Sequence, residues 1–324
     1  MHLLLFTIID TIRDLGWSAA LDTLRDGIVL GALYAIVALG YTLVYGILKL
    51  LNFAHGDVFM VGAFIGFGVL SVLSGPTSST LSIVPLILVM FAVAMLGSGV
   101  LGVAIERFAY RPLRNAPRIA PLISALGVVF FLEASAQLLT DSAHFQYQNY
   151  PVFAPLFQPP VFTIGPSQIS VIDLLVIGLG IALMGGLMLL VNHTRLGKAM
   201  RATAFDREAA SMMGIDTDRV ISATFFIGSA LAGASGVMYG LWLSDTYFFV
   251  GFLYGLKGFT AAVVGGIGSI KGAMVGGLLV GVVETFAGVY FGGQWKDLVV
   301  FGILILFLLF RPTGLFGSQP LQKV

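Results

Sequence analysis

The chain contains no cysteine, which excludes disulfides, thiolate-held metals and a cysteine nucleophile. Charge is also scarce. Asp, Glu, Lys and Arg make up 10% of the 324 residues, against about 25% in a typical soluble domain. With 58% hydrophobic residues and a mean hydropathy of +0.98, there is too little charge to cover a water-facing surface. The chain reads as a polytopic membrane protein. Its apolar runs have helical length, unlike the alternating ten-residue strands of an outer-membrane barrel. The net charge of +1 gives no reason to expect a nucleic-acid partner.

Enzymatic signatures are missing too. No GxxxxGKS/T phosphate loop occurs, because Gly197-Lys198 is followed by Ala199 and lacks the upstream glycine. The chain is therefore not expected to hydrolyse ATP itself. HExxH and GxSxG are absent, and His2, His55, His144 and His193 lie too far apart for ligand spacing. No catalytic residue, cofactor or metal is expected. Mid-membrane acids are few, namely Asp57, Glu133, Asp173 and Glu284. An ion-coupled carrier would need a relay of such groups. Glu284, inside GVVETFAG, is the best lone candidate, and a residue paired with a neighbouring helix or facing a pathway is favoured there over ion coupling.

What is present is a series of membrane-length segments. Residues 1–26 mix Asp and Arg with Ile, Leu and Trp and read as an interfacial extension. A span follows from Gly27 to Leu48, then a polar interruption, Lys49 to Asp57, before apolar residues resume to Leu73. Asn52, His55 and Asp57 cannot face lipid unpaired, so they pair, line a cavity or sit at the surface. A loop at 75–81 leads to a span over Ser82–Ala104. ERFAYRPLRNAPR then carries Arg107, Arg111, Arg114 and Arg118, which marks it as cytoplasmic by the positive-inside rule.

The next span covers about Ile119 to Leu139. Residues 140–170 contain five prolines and only Asp141 as formal charge, so they read as an external cap. Residues 171–191 cross back. Val220–Leu243 carries a small-residue ladder, Gly228, Ala232, Gly236 and Gly240, and a second ladder, Ala273, Gly277 and Gly281, lies in Gly272–Tyr290. Both suit close helix contact. Between them, Lys257 to Lys271 is apolar for only about eight residues before glycine interrupts, which reads as a short or re-entrant helix. Discontinuous segments near 49–57 and 257–271 point to a possible inverted repeat with a central site. Leu298–Phe310 is the last span, stopped by Arg311-Pro312. The total is eight to ten crossings in an all-α polytopic fold.

The longest polar run is 193–219, HTRLGKAMRATAFDREAASMMGIDTDR. Thr203 to Asp206 has the pattern of a helix start, and Gly214 is placed to end that helix. Phe205, Ala209, Met212 and Met213 share one face, giving a short amphipathic helix whose apolar stripe requires something to dock into. Glu208-Ala209-Ala210, three residues, then Gly214 resembles the EAA loop of ATP-binding-cassette importer permeases. The whole block RATAFDREAASMMGIDTDRV resembles this loop in the LivH-type branched-chain amino acid permeases. Three further blocks share the resemblance: GYTLVYGILKLLNFAHGD, IERFAYRPLR and KGFTAAVVGGIGSIKGAMVGG. Together they cover about a third of the chain.

The resemblance implies a bacterial inner-membrane importer with a second related permease, two cytoplasmic ATP-binding subunits and an external solute-binding protein. It implies Leu, Ile or Val as substrate and alternating access driven by the ATPases. Related permeases carry urea, short amides or other amino acids, and an ion-coupled secondary transporter is the remaining alternative. Glu208, Ala209, Ala210 and Gly214 match the loop motif, with Arg201 and Asp206 beside them as further coupling residues. Tyr41, Asn52, His55 and Glu284 are the candidates for the substrate pathway. The domain scheme is the extension at 1–26, a transmembrane permease domain at 27–315 that holds the 193–219 coupling loop, and a tail at 316–324.

Overall fold

The computed structural model describes residues 2–73, 83–114, 116–117, 119–140, 145–146, 160–164 and 167–317. The loop expected at 75–81, most of the external cap and most of the C-terminal tail lie outside the described residues. Eleven α-helices are present among those described: α1 (His2–Leu48), α2 (His55–Leu73), α3 (Ile83–Ile105), α4 (Ile119–Thr140), α5 (Val171–His193), α6 (Arg195–Phe205), α7 (Arg207–Met212), α8 (Thr217–Leu243), α9 (Val250–Gly265), α10 (Ile270–Tyr290) and α11 (Lys296–Phe310). A π-helical turn at Glu106–Tyr110 and a 3₁₀ turn at Arg111–Leu113 prolong α3. Among the described residues eight helical segments are long and apolar enough to cross a membrane, and α9 is a shorter apolar helix. The chain is a multi-pass, all-α membrane protein. α1 runs without a break through the boundary expected at residue 26.

Two short ribbons accompany the helices. Phe145–Gln146 (β1) pairs antiparallel with Asp245–Thr246 (β4), and Phe162–Ile164 (β2) pairs with Ser167–Ile169 (β3). β1 and β4 follow α4 and α8 on the side away from the Arg-rich turn, so they belong to the external end.

α1 and α8 form the centre, with α2 and α3 packed on α8 and with α10 and α9 on α1. Small residues set these distances. Along α1 and α10, Gly27 faces Val282, Gly31 faces Leu278 and Gly281, and Ala35 faces Gly277. A Cβ at Gly31 would stand 2.8 Å from the Leu278 Cα, closer than real side chains permit. On α8, Gly228 meets Gly40, and Gly236 meets the Phe59 carbonyl and Ala63. Both expected ladders therefore serve helix contact. Large apolar side chains on the rim, such as Leu88, Phe130, Leu138 and Leu309, are exposed, as lipid-facing positions should be.

Both predicted interruptions are present. α1 stops at Leu48 and Lys49 takes φ of 54°. The helix resumes at His55, with Asp57 in its first turn, so His55 and Asp57 belong to a helix start and not to the break itself. α9 ends at Gly265, after which Gly266 and Gly268 take φ of 106° and 96°. The helix start after the first interruption packs against the beginning of α9 and not against its broken end: Gly266 lies against Gly317 and Thr313, whereas Gly56 touches Gly251 and Gly255.

Candidate functional site

At that junction, absent side chains let two backbones touch and bring polar groups into the interior. Gly255 lies against the Gly56 Cα and the Tyr41 hydroxyl. The Tyr41 and His55 rings meet edge to face with centroids 4.8 Å apart. His55 is fully buried, and neither ring nitrogen makes a hydrogen bond of ordinary geometry. Asp57 is equally buried and its Oδ1 has no hydrogen-bond partner. Asn52 is satisfied instead: Tyr110 Oη donates to its Oδ1 at 3.0 Å. Tyr41, His55 and Asn52 thus occupy one region, although Asn52 turns toward Tyr110 in the turn after α3 while His55 turns toward Gly40 and Tyr41 of α1.

Glu284 lies elsewhere, on α10. Its Oε2 accepts from Tyr34 Oη at 2.7 Å and its Oε1 takes Lys257 Nζ at 2.6 Å. Lys257 entered the sequence reading only as the edge of a short apolar segment. Its partnership with Glu284 joins residues of separate helices, and no local spacing signals it.

The cytoplasmic side holds the second region. Thr194 Oγ1 accepts from the Gly197 N–H at 3.0 Å and caps α6, which is therefore already helical at Thr203. The expected start at Thr203 is corrected accordingly. Thr203 sits inside α6 with its hydroxyl donated to the Ala199 carbonyl, and the new helix begins one break later. Asp206, in extended backbone, accepts from the Ala209 N–H at 3.0 Å and caps α7. At the other end Gly214, at φ of 83°, donates to the Ser211 carbonyl, and Ile215 donates to the Ala210 carbonyl. This is the paired-bond glycine stop.

Phe205, Met212 and Met213 are 86%, 85% and 83% exposed, and Ala209 and Glu208 are exposed with them, whereas Ala210 is buried. The coupling motif is thus divided between an outward face and an inward anchor. Arg201 donates to the Val191 carbonyl at the end of α5 and Asp206 caps α7, so both shape the loop.

Asp218, in the first turn of α8, ties this unit to the Arg-rich turn. It pairs with Arg111, with Arg114 at 2.5 Å and with Arg207 of α7 at 3.2 Å. Arg114 also pairs with buried Glu106, which accepts from Ser222 Oγ at 2.7 Å. Sequence reasoning took the arginines as a marker of sidedness and missed this junction. The two blocks are about a hundred residues apart, and only the fold brings them together.

A bundle of membrane-length helices with a polar interior junction, and an apolar patch exposed on the arginine-rich side, has the form of a membrane transport subunit. Residues 23–309 match the family described as branched-chain amino acid transport system, permease component. The chain belongs to that family. It is 43% identical over 310 residues to the high-affinity branched-chain amino acid transport system permease protein BraD of Pseudomonas aeruginosa, an alignment covering 94% of this chain and 98% of that one. The LivH permease protein of Salmonella typhimurium is 39% identical over 94% of this chain and 97% of its own length. A more distant relative, the probable permease protein LivM of Methanocaldococcus jannaschii, is 26% identical over 40% of this chain and 41% of its own. No solved structure matches the chain.

Proposed function

We propose that this chain is a permease subunit of an ATP-driven importer of leucine, isoleucine and valine in the bacterial inner membrane. Its partners in this reading are a second permease, two cytoplasmic ATP-binding subunits and an external binding protein. The observation that carries the reading is the bare apolar patch made by Phe205 at the end of α6, Ala209 and Met212 on α7 and Met213 at its C-cap, on the cytoplasmic side of the bundle. The break at Asp206 means that Phe205 does not share a helix face with the others as expected. An apolar patch of this kind, rimmed by Glu208, Arg207 and Asp206, suits a groove in a soluble partner. The family match and the names of the relatives support the substrate class.

In the proposed cycle the loaded binding protein engages the external end. Closure of the ATPase pair presses on α6 and α7. Asp218 passes that displacement to α8 and to the Arg111–Arg114 turn, and the junction at Tyr41, His55 and Gly255 opens inward. The chain's own residues supply positioning and a path; the hydrolysis belongs to the partners.

The test is purification of the chain from detergent-solubilised native membranes, followed by reconstitution. Two ATP-binding subunits and a second permease are expected to co-purify, and liposomes holding the complex should accumulate leucine only with ATP and binding protein. Gly214→Asp, which disturbs the exit turn of α7, should be expressed normally and abolish ATP-dependent uptake. Recovery of the chain alone, with leucine flux independent of ATP, would overturn the reading.

A further inference from the structure

Among the described residues Lys257 is the most deeply buried lysine or arginine. Its ammonium lies 2.6 Å from Glu284 Oε1 and 2.7 Å from Asp297 Oδ1. The Lys257 and Glu284 side chains are 1% and 4% exposed, and that of Asp297 is 40% exposed. Withdrawing two charges this far from water costs several kcal/mol per ion, and apolar residues of the same volume often hold helices together equally well. Stability alone therefore does not explain the pair.

The surroundings point to a ligand. The Tyr254 ring centroid is 5.6 Å from Lys257 Nζ. Around Tyr254 stand Tyr239, Tyr34 and Phe59, with centroids at 4.6, 5.8 and 5.8 Å. An ammonium and a carboxylate a hydrogen bond apart, beside an aromatic wall, complement a molecule that bears both charges on one carbon with an aliphatic branch attached.

We propose that Lys257 and Glu284 form the membrane-embedded site for the zwitterionic head of an aliphatic α-amino acid, self-paired in this conformation. The inference rests on the substrate class proposed above. When the substrate enters, Lys257 and the Tyr34 hydroxyl take its carboxylate, Glu284 takes its ammonium, and the side chain lies against Tyr254 and Phe59. The exchange is isoelectric, so no net charge is added to the interior. A simple acid would take Lys257 and leave the buried Glu284 carboxylate without a cation, a costly state, and is rejected on that ground. Asp297 opens the site to the outside. α10 starts beside the cytoplasmic end of α5 and α6 and rises away from it, so Asp297, at the start of α11, is external. Lys257 is shared between Asp297 and Glu284, and its shift toward Asp297 frees Glu284 for an incoming ammonium.

The experiment uses the reconstituted complex with its binding protein. Lys257→Met/Glu284→Gln removes both charges and keeps the volume. It is expected to co-purify with its partners and to lose leucine uptake by roughly a hundredfold; uptake within about twofold of the unaltered complex would make the pair structural and overturn the proposal. Glu284→Gln alone leaves Lys257 to receive a carboxylate. That variant should bind 4-methylpentanoate, seen as inhibition of its residual leucine uptake, where the unaltered complex with the same binding protein is not inhibited. Equal insensitivity in both would overturn the site, as would failure of both variants to assemble, since the pair would then be a folding element. Absence of leucine uptake by the unaltered complex would instead overturn the substrate reading.

Discussion

Ala209 and Ala210 are chemically identical neighbours with opposite surroundings. Ala209 is exposed on the outward face of α7 and Ala210 is buried against the chain itself. Ala209→Trp should leave the stability of the isolated chain within about 0.5 kcal/mol, as surface substitutions usually do, yet abolish co-purification of the ATP-binding subunits. Ala210→Trp overpacks a filled site and should destabilise the chain by about 1–3 kcal/mol. Thermal unfolding in detergent, read beside co-purification, separates the two effects. Equal behaviour of both variants would contradict the division of α7 into a docking face and an anchor.

At the scale of elements, α7, the start of α8 and the turn after α3 are joined because Asp218 pairs with Arg111, Arg114 and Arg207. Three of these four side chains are more than a third exposed, so each rim pair contributes only about 0–1 kcal/mol to stability. The importance of the junction is directional: it is the charged link from α7 to the turn that follows α3. Asp218→Asn should therefore shift the melting temperature by only a few degrees while lowering uptake roughly tenfold with ATP hydrolysis retained. Stopped hydrolysis together with lost assembly would show the junction to be a docking element and not a transmitter. Because the rim pairs are screened by salt, raising ionic strength should weaken coupling of the unaltered complex in the same sense.

At the scale of the whole molecule, the absence of cysteine makes the topology directly measurable. Ser211→Cys, on α7, should react with an impermeant maleimide only in inside-out vesicles, and Gln168→Cys, on β3, only in right-side-out ones. Labelling of both from one side would contradict the arrangement of helices. Much of this architecture was legible in the residues: the membrane-length segments, the Arg-rich turn, the two interruptions and the glycine stop at Gly214 all have local signals. The start of α7 was misread because Thr203 and Asp206 both have capping side chains. The choice between them was made by Thr194, which had already begun α6. The Lys257–Glu284 pair and the Asp218 junction were illegible for a different reason. They depend on which helices become neighbours, and that is decided by glycine contacts along whole helices.

Those glycine contacts have a mechanical consequence. Where Gly31 faces Gly281 and Ala35 faces Gly277, α1 and α10 meet almost backbone to backbone, and the Tyr34–Glu284 hydrogen bond crosses the same pair of helices. Interlocked side chains resist sliding because they must climb over their neighbours, whereas a smooth seam has no such teeth. In the proposed cycle, displacement imposed from the cytoplasm would run as shear along this close seam, with the Tyr34–Glu284 hydrogen bond as the side-chain link that has to re-form.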